Sequence, residues 1–129
     1  MLYDKAMSII HAQDSNRFAS IVYPSDSYIE QIDLFKIHHF DNKARSTSLK
    51  ALEFNMRMDN ISDLPFPVGS ILTRDQVPVL LDYNAHDVTA TKRFYHQSIE
   101  QIEFRAALSK KHGRDFMNHS DVKIGKEIF

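Results

Sequence analysis

The stretch that decides the fold opens at Thr73-Arg74-Asp75-Gln76-Val77-Pro78 and closes at Lys110-Lys111-His112-Gly113. Between Val79 and His112 there is neither glycine nor proline. Apolar and small residues recur there at Leu81, Val88, Thr91, Tyr95, Ser98 and Ile102, with Leu80, Phe94 and Leu108 widening the stripe. Steps of three and four residues mark an amphipathic helix whose stripe is expected to face inward. Thr73 to Gln76 fits a capping box, and Asp75 as N-cap would put Pro78 in the first turn, where a missing N–H costs little. Gly113 after three basic residues is a good stop. The spacing predicts one helix, straight or kinked, from about Asp75 to His112.

Working outward, Asn60 to Ser70 carries Pro65, Pro67 and Gly69 and reads as a loop. Ser46-Thr47-Ser48 offers N-caps for a short helix from Leu49 to Met58, with Leu49, Leu52 and Met56 inward. Ile29 to Phe35 reads as a short strand burying Ile29 and Ile32, residues 3–13 as a helix carrying Met7, Ile9 and Ile10, and Asp121 to Phe129 as a short helix capped by Ser120. No repeat or low-complexity segment interrupts this order. The lone strand has no convincing partner, and unpaired strand groups are costly. Either no strand forms, or its partners belong to sequence outside this chain. The expected fold class is mostly α.

Composition narrows the function classes. The chain has 129 residues, 43% hydrophobic and 26% charged, the profile of one globular domain. Lys plus Arg is 16 against 17 for Asp plus Glu, giving a net charge of −1. Binding to nucleic acid by bulk positive charge is therefore not expected, and any phosphate contact would be local or metal-dependent. Cysteine is absent, which excludes disulfides, thiolate zinc sites and cysteine nucleophiles. The opening residues lack a signal-peptide layout, and no apolar run approaches the roughly 20 residues that cross a bilayer. The expected address is a reducing cytoplasm, with no membrane partner.

The sharpest local pattern is Leu81-Asp82-Tyr83-Asn84-Ala85-His86-Asp87-Val88-Thr89-Ala90-Thr91. Tyr83 and Asp87, four apart, stack on one helix face. Asp87 falls in line with Leu80 and Phe94, and an inward carboxylate must be paired or metal-bound. Two readings stay open from spacing. Tyr83 and Asp87 form a structural pair whose carboxylate meets a lysine or a backbone amide, or Asp87 holds a metal whose water Tyr83 orients.

Tyr83 through Thr91 resembles the third motif of the DEDDy class of 3′–5′ exonucleases, ribonuclease H-like domains that proofread for DNA polymerases. Ile32-Asp33-Leu34-Phe35-Lys36, Thr47 to Glu53 and Asp63-Leu64-Pro65-Phe66-Pro67 before it resemble the order found in phage exonuclease and DNA polymerase proteins. So do Phe104-Arg105, Leu108 to Gly113 and Asn118 to Asp121 after it. The likeness spans nearly the whole chain. It implies a partial ribonuclease H-like exonuclease domain with a long C-terminal helix and most of its central sheet missing. Residues 1–112 would be the C-terminal part of that domain, and 113–129 a short helical tail or a connection onward. In such a domain Asp87 is a metal-binding carboxylate and Tyr83 positions the attacking water. The cofactor is Mg²⁺ or Mn²⁺, and the partner is the 3′ end of single-stranded DNA in, for a phage protein, the host cytoplasm.

The departures matter as much. The class cuts phosphodiesters with two dications, about 3.5–4 Å apart, held by four acids. Its first motif, Asp-x-Glu, occurs nowhere in this chain, and its second, an Asn shortly before Phe or Tyr and Asp, is also missing. Met1 to Met7 resembles the stretch after the second motif, so Asp4 is not expected to be the missing ligand. The chain is expected to be cut off upstream of that motif and downstream of Phe129, and to have negligible nuclease activity alone. A neighbouring polypeptide would have to supply the missing strands and acids. The alternative is a non-catalytic helical interaction protein that keeps the scaffold and oligomerises over its bare apolar face.

Other candidates are weaker. His38-His39 with Asp33 and Asp41 is a poor metal cluster, since adjacent histidines point apart. His86 points off the Tyr83–Asp87 face. Lys92-Arg93, Arg105 and Lys110-Lys111 read as a solvated face, with a DNA-backbone contact as the rival. Ser25, Ser27 and Ser120 lack a nucleophile elbow.

Overall fold

The computed structural model describes residues 29–40 and 42–129, together with Asp4, Met7 and His11. The chain divides into two units, Met1–Gln31 and Ile32–Phe129. In the first, Asp4, Met7 and His11 are helical, as expected within 3–13; the rest of that span lies outside the described residues. The second unit holds five helices: α1 (Leu34–Ile37), α2 (Leu49–Asn55), α3 (Val77–Gln97), α4 (Ile99–His112) and α5 (Asp121–Ile128). No strand occurs among the described residues.

The strand expected from Ile29 to Phe35 is therefore corrected. Residues 29–33 are irregular, and both Ile29 and Ile32 are exposed rather than buried. Asp33 turns the chain into α1 by accepting a hydrogen bond from the Lys36 amide at 3.1 Å. No strand pairs with this segment among the described residues, and Asp33 uses its carboxylate to cap a helix while its own amide donates to Asn118 Oδ1. The helix α1 then ends in a Schellman motif: His39 N–H donates to Lys36 O and Phe40 N–H to Phe35 O, with His39 at φ 62°. The end of α2 repeats this at Arg57, φ 52°, with Arg57 N–H on Phe54 O and Met58 N–H on Glu53 O. This stops α2 at Asn55, short of the expected Met58.

The long helix is two helices. Gln76 Oε1 accepts from the Thr73 amide at 3.0 Å, one half of the expected box, and Pro78 sits in the first turn. The break falls at Ser98, which is wholly buried. Its amide is shared between Phe94 O and Tyr95 O, and its hydroxyl donates back to Phe94 O at 2.8 Å. A side-chain oxygen bonded to the carbonyl one turn earlier bends or breaks a helix. The same oxygen accepts from His38 Nε2 at 2.8 Å, which assigns the ring proton to Nε2 and ties α1 to the break. His38 also packs on the Phe94 ring at 4.7 Å between centroids. Burial, then the nearby Arg105 cation, hold the His38 pKa below its ordinary value, with Asp121 opposing. Gly113, at φ 64°, ends α4 as expected.

Arg105 is the other correction. It was expected on a solvated face or against DNA, yet it is 1% exposed. Its Nε donates to His119 O at 3.0 Å, one terminal nitrogen to Gln101 O at 3.0 Å, and the other to Ile37 O at 3.2 Å and Asp121 Oδ1 at 2.5 Å. One guanidinium thus fastens α1, α4, the 113–120 loop and α5. Around it lie the buried apolar residues Ile37, Ile102, Phe116 and Ile124. Asn118 Oδ1 accepts from the Asp33 amide at 2.7 Å, and Ser120 caps α5 through the Lys123 amide.

Candidate active site

The helix α3 shows two apolar faces. The covered one carries Leu80, Tyr83, Ala90 and Phe94, with Ala90 fully buried. The stripe of Leu81, Val88 and Tyr95, expected inward, is exposed instead, Leu81 at 59% and Val88 at 60%. The reason is geometric: α2 and the rings of His38 and Phe40, just after α1, pack on the opposite side of α3. Asp87 is half-buried, at the edge between the two faces.

Tyr83 and Asp87 stand one turn apart on α3. The Tyr83 hydroxyl is raised above its ordinary pKa by desolvation first, then by the Asp87 carboxylate through its charge and as a hydrogen-bond acceptor, and by Glu53; Lys50 opposes. A phenol so placed is held in its neutral form. Glu53 comes from α2 and is 2% exposed, the one acid buried among the described residues. His86 Nε2 stands 3.4 Å from Glu53 Oε2, within ion-pair range but without hydrogen-bond alignment. At the surface of α2, Lys50 pairs with Asp63 from the loop. Glu53 was not singled out from the sequence, although its signal was there. It follows Leu49 by four residues and precedes Met56 by three, so it shares their inward face.

Asp87 also opens onto a groove of about 510 Å³ lined by Ile32, Leu34, Val88, Thr91, Lys92 and Tyr95, among others. Two dications need oxygen ligands from several elements. Here Asp87 and the occluded Glu53 are the acids that bear on Tyr83, and no group of three or more metal-binding side chains gathers among the described residues. The donor set does not fit a two-ion centre. His38 is engaged with Ser98, and Asp41 lies outside the described residues. No described helix is long and apolar enough to cross a membrane. No protein-family model, curated protein or solved structure matches the chain.

Proposed function

We propose that the chain is part of a phage-type 3′–5′ exonuclease or DNA polymerase proofreading domain, catalytically incomplete as it stands. The observation that supports this reading best is the placement of Tyr83 one helical turn from Asp87: a phenol whose pKa is raised by desolvation and by that carboxylate, which itself borders an open groove. In a completed site Asp87 would serve as one metal ligand and Tyr83 would orient water. Mg²⁺ or Mn²⁺ would supply the activation of that water and the stabilisation of the leaving oxygen. The remaining acids would come from a polypeptide carrying the first and second motifs. The acceptor would be a single-stranded 3′ end.

The test has two arms. The chain alone, given Mg²⁺ or Mn²⁺ and single-stranded DNA, is expected to release no nucleotide above background. The DNA just upstream of the Met1 codon is expected to encode Asp-x-Glu and Asn-x-x-Tyr-Asp, in the same frame or a neighbouring one. Robust release abolished by Asp87→Asn would overturn the incompleteness, and upstream DNA without either motif would overturn the assignment. A second reading, a helical interaction protein without chemistry, is favoured by one observation, the bare stripe along α3.

A further inference from the structure

The solvent face of α3 carries a regular seam. Val77, Leu81, Asn84, Val88, Thr91 and Tyr95 are all exposed. They follow one another at steps of four, three, four, three and four residues. These steps fit two and a half heptads, so the seam is one that a second helix can cover along its length. In heptad terms Leu81, Val88 and Tyr95 occupy the a row, and Val77, Asn84 and Thr91 the d row. Asp87 then stands at g and Lys92 at e. Both line the same open groove, and Lys92 forms no ion pair with a described residue.

We infer that this seam is a dimer interface, occupied by α3 of a second copy of this chain running parallel and in register. Charge and polarity select this occupant and this direction. With two parallel copies, Asp87 at g meets Lys92 at the e position of the other helix, twice by symmetry. Asn84 meets Asn84 of the other copy, so each buried amide finds a partner. In an antiparallel pair d faces a and the flanks run g to g and e to e, so Asn84 falls against Leu81, Val88 or Tyr95 and Asp87 does not meet Lys92. That leaves an amide without a partner and the charges unmatched. Ile32 and Leu34 line the groove beside the seam and extend the apolar contact to the flank of the incoming helix. The inference uses no metal and no DNA, and it engages Asp87 and the groove that the nuclease reading also claims, so the two compete for one carboxylate.

Sedimentation equilibrium of the full chain across the micromolar range is expected to give a dimer. Val88→Glu is expected to weaken it at least tenfold, roughly the effect of a charge in a desolvated seam. Lys92→Glu, at an exposed position where folding is not at issue, is expected to weaken it by a few-fold. Circular dichroism should report unchanged helix content for both. Because the chain has no cysteine, direction can be read by cross-linking. Asn84→Cys is expected to form a disulfide dimer quickly under mild oxidation, and Thr89→Cys, off the seam, is not. A monomer at all concentrations, a dimer indifferent to both charge variants, or equal cross-linking by the two cysteines would overturn the proposal. The nuclease assay above is blind to each of these outcomes.

Discussion

The two ends of the Ile32–Phe129 unit are built on opposite terms. At one end, Arg105 lies among four acceptors contributed by three helices and a loop, so a buried charge is stable because nearly every donor is used. At the other, the charges of Asp87 and Glu53 bear on one phenol, Tyr83, while the neighbouring stripe of α3 stands in solvent. The first region is complete within the described residues. The second has polar groups and apolar area left over, which is the pattern of a surface that meets something else.

The largest effect should come from removing the guanidinium. Arg105→Ala would leave the carbonyls of Ile37 and His119 without their guanidinium donor, at about 1–3 kcal/mol for each group stranded, while Gln101 O keeps its helical N–H. A loss of about 3 kcal/mol or more is expected in urea unfolding, a large part of the 5–15 kcal/mol typical of a domain. Arg105→Lys should rescue little, because an ammonium cannot span the fork. A variant of near-native stability would show that the network is not what holds α1, α4 and α5 together.

Ser98 should matter less, at about 1–2 kcal/mol for Ser98→Ala, since one part-buried imidazole donor loses its acceptor. The same contact carries a pH dependence. The folded pKa of His38 is lowered, so the folded state resists protonation that the unfolded chain accepts below its ordinary value of 6.5. Stability is therefore full above pH 6.5 and is lost as the pH falls from 6.5 towards the lowered folded value. Thermal melts between neutral and mildly acid pH should show this loss, and His38→Gln should flatten it.

How much of this was legible depended on which residue performed each local task. The stop at Gly113 and the cap at Ser120 were readable because glycine and serine are the usual residues for those positions. The ends of α1 and α2 were not, because His39 and Arg57 take the left-handed conformation that glycine normally supplies. The break at Ser98 depends on a histidine sixty residues away, and no periodicity in one segment reports such a partner. Arg105 misled for the same reason: its acceptors are mainly backbone carbonyls, invisible in a pattern of side chains. The stripe was misassigned because α3 has two apolar faces, and period alone cannot say which one a neighbour covers. Four-residue spacing put Tyr83 and Asp87 on neighbouring turns of one helix, and the Asp87 charge contributes to the raised Tyr83 pKa. Glu53 was missed because charged residues were read as surface, although its own spacing placed it inward.

A sharper comparison uses Glu53 alone. Glu53→Gln keeps the shape of α2 and removes one of the two negative charges that raise the Tyr83 pKa. The Tyr83 titration, followed by NMR of labelled tyrosine, should move down towards its ordinary value, while Lys50→Gln should move it up. If neither variant moves it, Tyr83 senses burial and Asp87 alone, and Glu53 belongs to the core rather than to the site.

The smallest effect is expected at Asp63, and it separates local order from global stability. The hydrogen bonds described within residues 60–70 are internal: Ser62 Oγ to Asn60 O, and Ser70 N and Oγ to Pro67 O. The link to a helix is the Lys50–Asp63 pair, whose side chains are 49% and 87% exposed. Water screens such a pair, so it is worth about 0–1 kcal/mol. Asp63→Ala should leave the urea midpoint almost unchanged and yet speed proteolytic cleavage within 60–70, because a loop end loses its tether while the helices lose nothing. If the midpoint instead fell as far as it does for Arg105→Ala, the α2–α3 end would be as tightly coupled as the Arg105 end, and the contrast between them would collapse.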